Sequence, residues 1–261
     1  MGRKAVFFDI DGTLIDNNFK VPKSTIKALK ELRENGHLAF ICTGRAKAMV
    51  PEDLMELGFD GIVGACGTYG ELNGQVIYNI ELSREVVEKA IKVFREYGIC
   101  CVLEGEKFIY AEESEIKGPL LEVLSRLVES CNGRFKMTIE QDYQINKLTC
   151  NSDKRCDFKI IYEDLKDDFD FIYHNDFMIE VVPKGYSKAK GIELMIRHLG
   201  IDIKDTYAFG DSLNDLEMLK YVKYGIAMGN SVPEILEVIP YKTDRIENDG
   251  IYNALKEFKL I

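Results

Sequence analysis

Ala5-Val6-Phe7-Phe8-Asp9-Ile10-Asp11-Gly12-Thr13 runs from an apolar stretch into two carboxylates one residue apart. Along a strand, residues i and i+2 point to the same side, so Asp9 and Asp11 are expected to emerge together where the strand stops. Two like charges that close need a divalent cation between them, or a shared proton. Either arrangement suits phosphate chemistry. One carboxylate can attack phosphorus while a second acid serves the leaving oxygen and then water. Gly12 allows a tight turn, and Thr13 suits the start of a loop.

Outward from this strand, the first third of the chain alternates strand and helix. Ser24 to Asn35 places Ile26, Leu29 and Leu32 on one helical stripe, with Ser24 as the expected N-cap and Gly36 as the stop. Leu38 to Cys42 is a continuous apolar run, as in a strand of a parallel sheet covered on both faces, and it ends in Thr43-Gly44-Arg45. A further short strand, Ile62-Val63, leads into Gly64-Ala65-Cys66-Gly67. From Lys188 the alternation resumes: Ile192, Met195, Ile196 and Leu199 stripe a helix ending at Gly200, and Thr206 to Phe209 forms a strand before Gly210-Asp211-Ser212-Leu213-Asn214-Asp215. The class is α/β, with βαβ units and a parallel sheet.

The middle of the chain has a different rhythm. A helix from Ser83 to Tyr97 precedes strands near Ile99 to Leu103 and Phe108 to Ala111. A second helix, Leu120 to Ser130, precedes extended residues Lys147 to Cys150. A weaker helix from Asp153 then leads to strands Phe169 to Tyr173 and Phe177 to Val182. This recurring αββ pattern predicts an inserted α+β domain with an antiparallel sheet. The expected division is 1-80 and 184-261 for the core and 81-183 for the insert, with linkers near Ile80 to Ser83 and Pro183 to Ser187. His174 is expected to cap a hairpin, and the run Asp164 to Asp170 to be a solvated face.

Composition narrows the function further. The 261 residues are 46% hydrophobic, enough for a substantial core, and 44 acidic against 34 basic residues give a net charge of -10. That balance argues against a broad nucleic-acid surface or an anionic membrane as partner. The amino terminus reaches the first acidic pair too soon for a secretory signal, so the cytoplasm is the expected compartment. The seven cysteines have no CxxC pair and read as reduced packing residues, with Cys100 and Cys101 facing opposite sides of a strand.

If the strands before Asp9, Thr43 and Asp211 are parallel neighbours, their carboxyl ends share one crevice. Asp211 then adds a hard oxygen ligand to Asp9, in a carboxylate set fit for Mg2+. Thr43 offers a hydroxyl and Gly44 an unhindered N–H to phosphate oxygens, and Lys188 supplies positive charge. Each piece alone is an ordinary acidic turn, strand exit or helix charge; their ordered combination is not.

Over essentially its whole length the chain resembles the haloacid dehalogenase superfamily phosphatases of the Cof-like group. Asp9 to Thr13 matches their first motif, Thr43-Gly44-Arg45 the second, the lysine of Gly185-Tyr186-Ser187-Lys188 the third, and Gly210 to Asp215 the fourth. The resemblance implies a Rossmann-like core with an inserted type II B cap that chooses the leaving group. It also implies Asp9 as nucleophile and metal ligand, and Asp11 as general acid and base and a metal ligand through its carbonyl. Asp211 matches the remaining Mg2+ ligand. The backbone N–H of Ile10, with Thr43, Gly44, Lys188 and Asn214, matches phosphate contacts, and Asp215 supports the metal or the lysine. Many relatives carry Asn-Gly-Ala where this chain has Cys66-Gly67-Thr68. The implied activity is Mg2+-dependent hydrolysis of a small phosphorylated metabolite, a sugar phosphate first, through an aspartyl phosphate. A phosphomutase and a noncatalytic phosphometabolite sensor are the alternatives. Oligomeric state is not readable from the sequence.

Overall fold

All four residues of the first strand, β1 (Ala5–Phe8), are fully buried. Only a strand with packing on both faces hides successive side chains in this way. The computed structural model describes residues 2–16, 18–116, 133–139, 142–152 and 154–261. Its further strands are β2 (Leu38–Cys42), β3 (Gly61–Gly64), β4 (Tyr69–Leu72), β5 (Gln75–Asn79), β6 (Cys100–Glu104), β7 (Ile109–Ala111), β8 (Phe135–Lys136), β9 (Lys147–Asn151), β10 (Phe169–Asn175), β11 (Met178–Pro183), β12 (Thr206–Gly210), β13 (Tyr224–Ala227) and β14 (Tyr241–Lys242). They form an eight-stranded sheet ordered β14-β13-β12-β1-β2-β3-β4-β5 and a six-stranded sheet ordered β10-β11-β9-β6-β7-β8.

The chain divides into two compact units. The first comprises Met1–Gly44, Glu52–Ile77 and Ser187–Ile261, and the second Arg45–Pro51 and Tyr78–Tyr186. Residues 45–51, which chain order assigns to the core, cluster instead with the insert. They do so because Ala48 and Met49 pack with Cys100, Val102, Ile109 and Ala111, and the Ala48 N–H donates to the Gly105 carbonyl at 3.4 Å.

In the first unit β1 lies between β12 and β2, parallel to both, and its register is in step on either side: Phe8 pairs with Phe209 and with Ile41. Phe7 stacks on Phe40 and Phe8 on Phe209, one pair per face. The helix over Lys23–Glu34 buries Thr25, Ala28, Leu29 and Leu32, so Ile26 of the expected stripe lies off the packed face. Ser24 is not its cap. The helix begins one residue earlier with Pro22 at the N-cap, and the Ser24 hydroxyl is buried without a hydrogen-bond partner.

In the second unit the paired strands are antiparallel, except that β7 and β8 run parallel. The helix over Arg84–Glu96 starts at Ser83, whose hydroxyl accepts from the Val86 N–H. It lays Val87, Ala90, Ile91 and Phe94 against Cys101, Leu103, Leu148 and Val181. Cys100 and Cys101 do face opposite sides of β6, one in each cluster. The helix expected over Leu120 to Ser130 lies outside the described residues. In place of a helix from Asp153, itself outside them, short helical turns cover Phe158–Ile161 and Tyr162–Leu165. Two acids of the expected solvated face are paired, Asp168 with Lys89 at 2.7 Å and Asp170 with Lys184 at 2.6 Å. His174 caps no turn; it sits in β10 with Nε2 at 3.6 Å from the Glu180 carboxylate.

Candidate active site

Because β12, β1 and β2 are parallel and in step, Asp9, Gly210 and Cys42 leave the sheet at one level, with neighbouring strands about 4.8 Å apart. Asp211 follows Gly210, and Thr43 and Gly44 follow Cys42. The crevice at a sheet's carboxyl edge thus receives three of the sequence clusters from adjacent strands.

The fourth cluster arrives on a helix. Ser187 caps Lys188–Leu199 by accepting from the Lys190 N–H, so Lys188 is the first residue of the helix. A cation there opposes the helix dipole. Two carboxylates offset this: the Lys188 Nζ donates to Asp9 Oδ1 at 2.6 Å and to Asp215 Oδ1 at 2.5 Å. Burial alone disfavours its charge, but Asp215 and Asp9 outweigh that cost and push its pKa well above the usual lysine value.

Asp215 is wholly buried and uses its other oxygen to accept from the backbone N–H groups of Asp211 at 2.9 Å and Ser212 at 3.0 Å. With Ser212 it forms a capping box that shapes the loop after β12. Asn214 is held by its Oδ1, which accepts from the Ser212 hydroxyl at 2.7 Å. The loop after β1 is fastened to the same place. Thr13 Oγ1 donates to Asp211 Oδ1 at 3.0 Å, and the Ile10 carbonyl accepts from the N–H groups of Leu14 and Ile15 at 2.9 Å. Gly12 has φ +79°, and a Cβ there would come within 2.3 Å of Asp211 Oδ2, so only glycine fits.

One carboxylate oxygen from each of Asp9, Asp211 and Asp215 lies within 4.8 Å of the others. Burial, then the charge of Asp215, pushes the Asp9 carboxyl well above the usual range and the Asp211 carboxyl to about 7. Three acids share one ammonium, leaving surplus negative charge on hard oxygen donors. That is the donor set a small divalent cation prefers. The Asp11 carboxylate is outside this set and exposed. Thr43 is buried, and its N–H donates to the Val63 carbonyl at 2.9 Å.

Two participants escape a reading of the sequence. Asn230 donates from Nδ2 to the Gly12 carbonyl at 2.7 Å and accepts from the Ile246 N–H at 3.0 Å, tying the loop after β1 to the carboxyl-terminal part of the chain. The Val232 N–H donates to the Asp211 carbonyl at 3.0 Å. The only sequence signal was Gly229-Asn230-Ser231 after the apolar β13, a turn pattern without a predicted partner.

The sequence pattern of the haloacid dehalogenase-like hydrolases matches residues 6–255. YkrA of Bacillus subtilis, which bears the name of a candidate phosphatase, is 35% identical over 263 residues, spanning 100% of both chains. The HMP-PP phosphatase of Yersinia enterocolitica is 26% identical and covers 96% of this chain and 93% of its own length. Among solved structures, the subclass IIB sugar phosphatase BT4131 superposes with a TM-score of 0.84 at 29% identity, covering 99% of this chain and 100% of its own. Among the described residues no helix is long and apolar enough to cross a membrane.

Proposed function

This chain belongs to the haloacid dehalogenase-like hydrolases, and from that premise we propose that it hydrolyses small phosphate monoesters through an aspartyl phosphate formed on Asp9, with Mg2+ as its metal. The chain is a phosphatase of this family, and its full-length relatives bear phosphatase names. The observation that carries the aspartyl-phosphate mechanism is the buried Asp9 carboxylate, bonded to Lys188 and set among acids at the carboxyl edge of a parallel sheet.

Lys188 engages one oxygen of Asp9, leaving the other to attack phosphorus opposite the leaving oxygen. Deep burial and the attached ammonium hold that carboxylate in one orientation, which is the positioning that in-line displacement requires. Asp11, two residues on and exposed, gives a proton to the departing alkoxide and in the second half takes one from the attacking water. The Thr43 hydroxyl, the Gly44 and Ile10 N–H groups, Lys188 and Asn214 receive the phosphoryl oxygens. Asp9, Asp211 and the Asp11 carbonyl would hold Mg2+, while Asp215 holds Lys188. When bound, the cation supplies further neutralisation of the transferring group. Phosphate monoester hydrolysis is among the reactions needing the largest acceleration, up to ~10^21, so preorganised charge must supply much of it.

Sugar phosphates are the first substrate class, supported by the likeness to BT4131; the insert over residues 81–183 is the part that selects among them. The test is phosphate release across a panel of phosphorylated metabolites, in Mg2+ and in chelator. Release that depends on Mg2+ and is strongest with sugar phosphates is expected. A panel with no Mg2+-dependent release would sink the proposal.

A further inference from the structure

The turn after β3 does no chemistry in the reaction above, yet its backbone is costly. Ala65, Cys66 and Gly67 follow one another with φ of 49°, 53° and 91°. A residue with a Cβ pays for that left-handed conformation, and such strain persists only where the surroundings over-determine it. Among the described non-glycine residues, Phe19, Asn73, Asp249 and Lys259 also adopt it, but only Ala65 and Cys66 do so as neighbours.

The surroundings are the two elements that carry the phosphate donors and the lysine. On one side the Cys66 N–H donates to the Thr43 carbonyl at 3.2 Å, and the Cys66 Sγ–H to the Gly44 carbonyl at 3.9 Å. On the other, Gly67 lies flat against the first turn of the helix that Lys188 opens. A Cβ at Gly67 would come within 2.0 Å of the Ser187 carbonyl oxygen and 2.9 Å of the Gly191 nitrogen. Thr68 closes the turn, its hydroxyl donating to the Ala65 carbonyl at 2.8 Å. Ala65, Cys66 and Thr68 are all buried.

We propose that Ala65–Gly67 is a strained brace that sets the spacing between the Thr43–Gly44 donors and the Lys188 ammonium, with Cys66 as its positioning residue. What the brace serves rests on the phosphatase reading; its existence does not. The rival is a plain hairpin connection between β3 and β4, which are antiparallel neighbours. The two differ at Cys66. A connector is relieved by any residue that accepts positive φ, whereas a brace also needs the side chain that bonds Gly44.

Cys66→Gly and Cys66→Asn in the full chain separate them. The glycine variant accepts the backbone and loses the side-chain bond. The asparagine variant tolerates the left-handed conformation and brings an amide donor. Orthophosphate binding to the Mg2+-loaded protein is measured by calorimetry, amide hydrogen exchange over residues 42–46 by mass spectrometry, and the thermal midpoint alongside. For Cys66→Gly we expect an unchanged or higher midpoint, orthophosphate affinity at least about 10-fold weaker, and exchange over 42–46 faster by a similar factor. Cys66→Asn should stay within about threefold of the parent in affinity and exchange. Parent-like affinity and exchange in Cys66→Gly overturn the brace, as does a loss of affinity that tracks a fall in midpoint. Faster exchange in Cys66→Gly, with no orthophosphate binding by the parent, supports the brace and sinks the functional reading.

Discussion

Two lysines, one in each unit, are buried to the same degree and flanked by two carboxylates each, yet they stand in opposite electrostatic situations. Lys188 is 2% exposed between Asp9 and Asp215, and Lys147 is 1% exposed between Glu180 at 2.8 Å and Glu104 at 3.5 Å. Around Lys147 one ammonium faces two carboxylates. Burial disfavours the Glu180 carboxylate, but Lys147 and His174 outweigh it and hold its pKa well below the usual range. Glu104 is pushed up by burial, accepts from the Thr149 hydroxyl, and keeps one oxygen without a hydrogen-bond partner. Around Lys188 a further acid, Asp211, joins the pair, and both Asp9 and Asp211 are pushed up. The first arrangement ties together the strands that carry it. The second leaves surplus negative charge on buried acids at the sheet's carboxyl edge, the unequal treatment of like groups expected at a functional site.

Removing one acid tests this contrast most severely. Asp9→Asn should lower turnover of a phosphate monoester by at least ~10^3-fold, because it removes the proposed nucleophile. The fold should remain, since the change relieves the crowding of acids. Retained turnover, or a collapsed thermal transition, would break the comparison on the side of the first unit.

Removing the cations separates the two sites by kind of damage. Lys147→Met strands Glu104 and Glu180 in the interior and should destabilise the second unit by about 3–5 kcal/mol, read from urea unfolding. Lys188→Met strands Asp9 and Asp215 in the same way and should also cost stability, but it is set apart by a loss of phosphate release that Lys147→Met does not share. If Lys147→Met proves as stable as the parent, Lys147 does not have the structural role assigned to it.

The smallest effects are in pH, and they run in opposite directions. Glu180 has a depressed pKa in the folded chain, so its contribution to stability is present above its unfolded value near 4.5 and is lost as pH falls below it. Asp211 has a raised pKa, so in metal-free protein its stabilising contribution is present at low pH and is lost as pH rises from 3.8 towards about 7. Thermal midpoints in chelator should therefore lose their acid-side slope in Glu180→Gln and their slope between pH 4 and 7 in Asp211→Asn. Parallel curves for parent and variants would contradict both assignments.

The ease of reading these two sites from the sequence also differed. Asp9, Thr43 and Asp211 each follow a continuous apolar run, and a parallel strand puts its last residue at the same edge whatever the length of chain between. Lys147 and Glu180 lie within segments that read as extended, and Glu104 lies just past the end of one; their meeting depends on the register that pairs Glu104 with Lys147 and sets Glu180 opposite Thr149. Register is a pairing between segments, and no single segment records it. Ser24 misled for a related reason. A serine before an apolar stripe is a good cap by local chemistry, but this helix starts one residue earlier and buries the hydroxyl.

By itself the sequence determined the α/β class and the parallel strands with their exits, and it pointed to Asp9, Thr43 and Asp211 at those exits, because hydrophobic periodicity and strand polarity are local properties. The tertiary structure alone decided that Asp215 holds Lys188, that Asn230 fastens Gly12 from 218 residues away, that residues 45–51 join the second unit, and that Cys66 accepts a left-handed backbone against Thr43 and Gly44. Each of these is a bond or a close approach between distant segments. Its free energy exists only once both are in place.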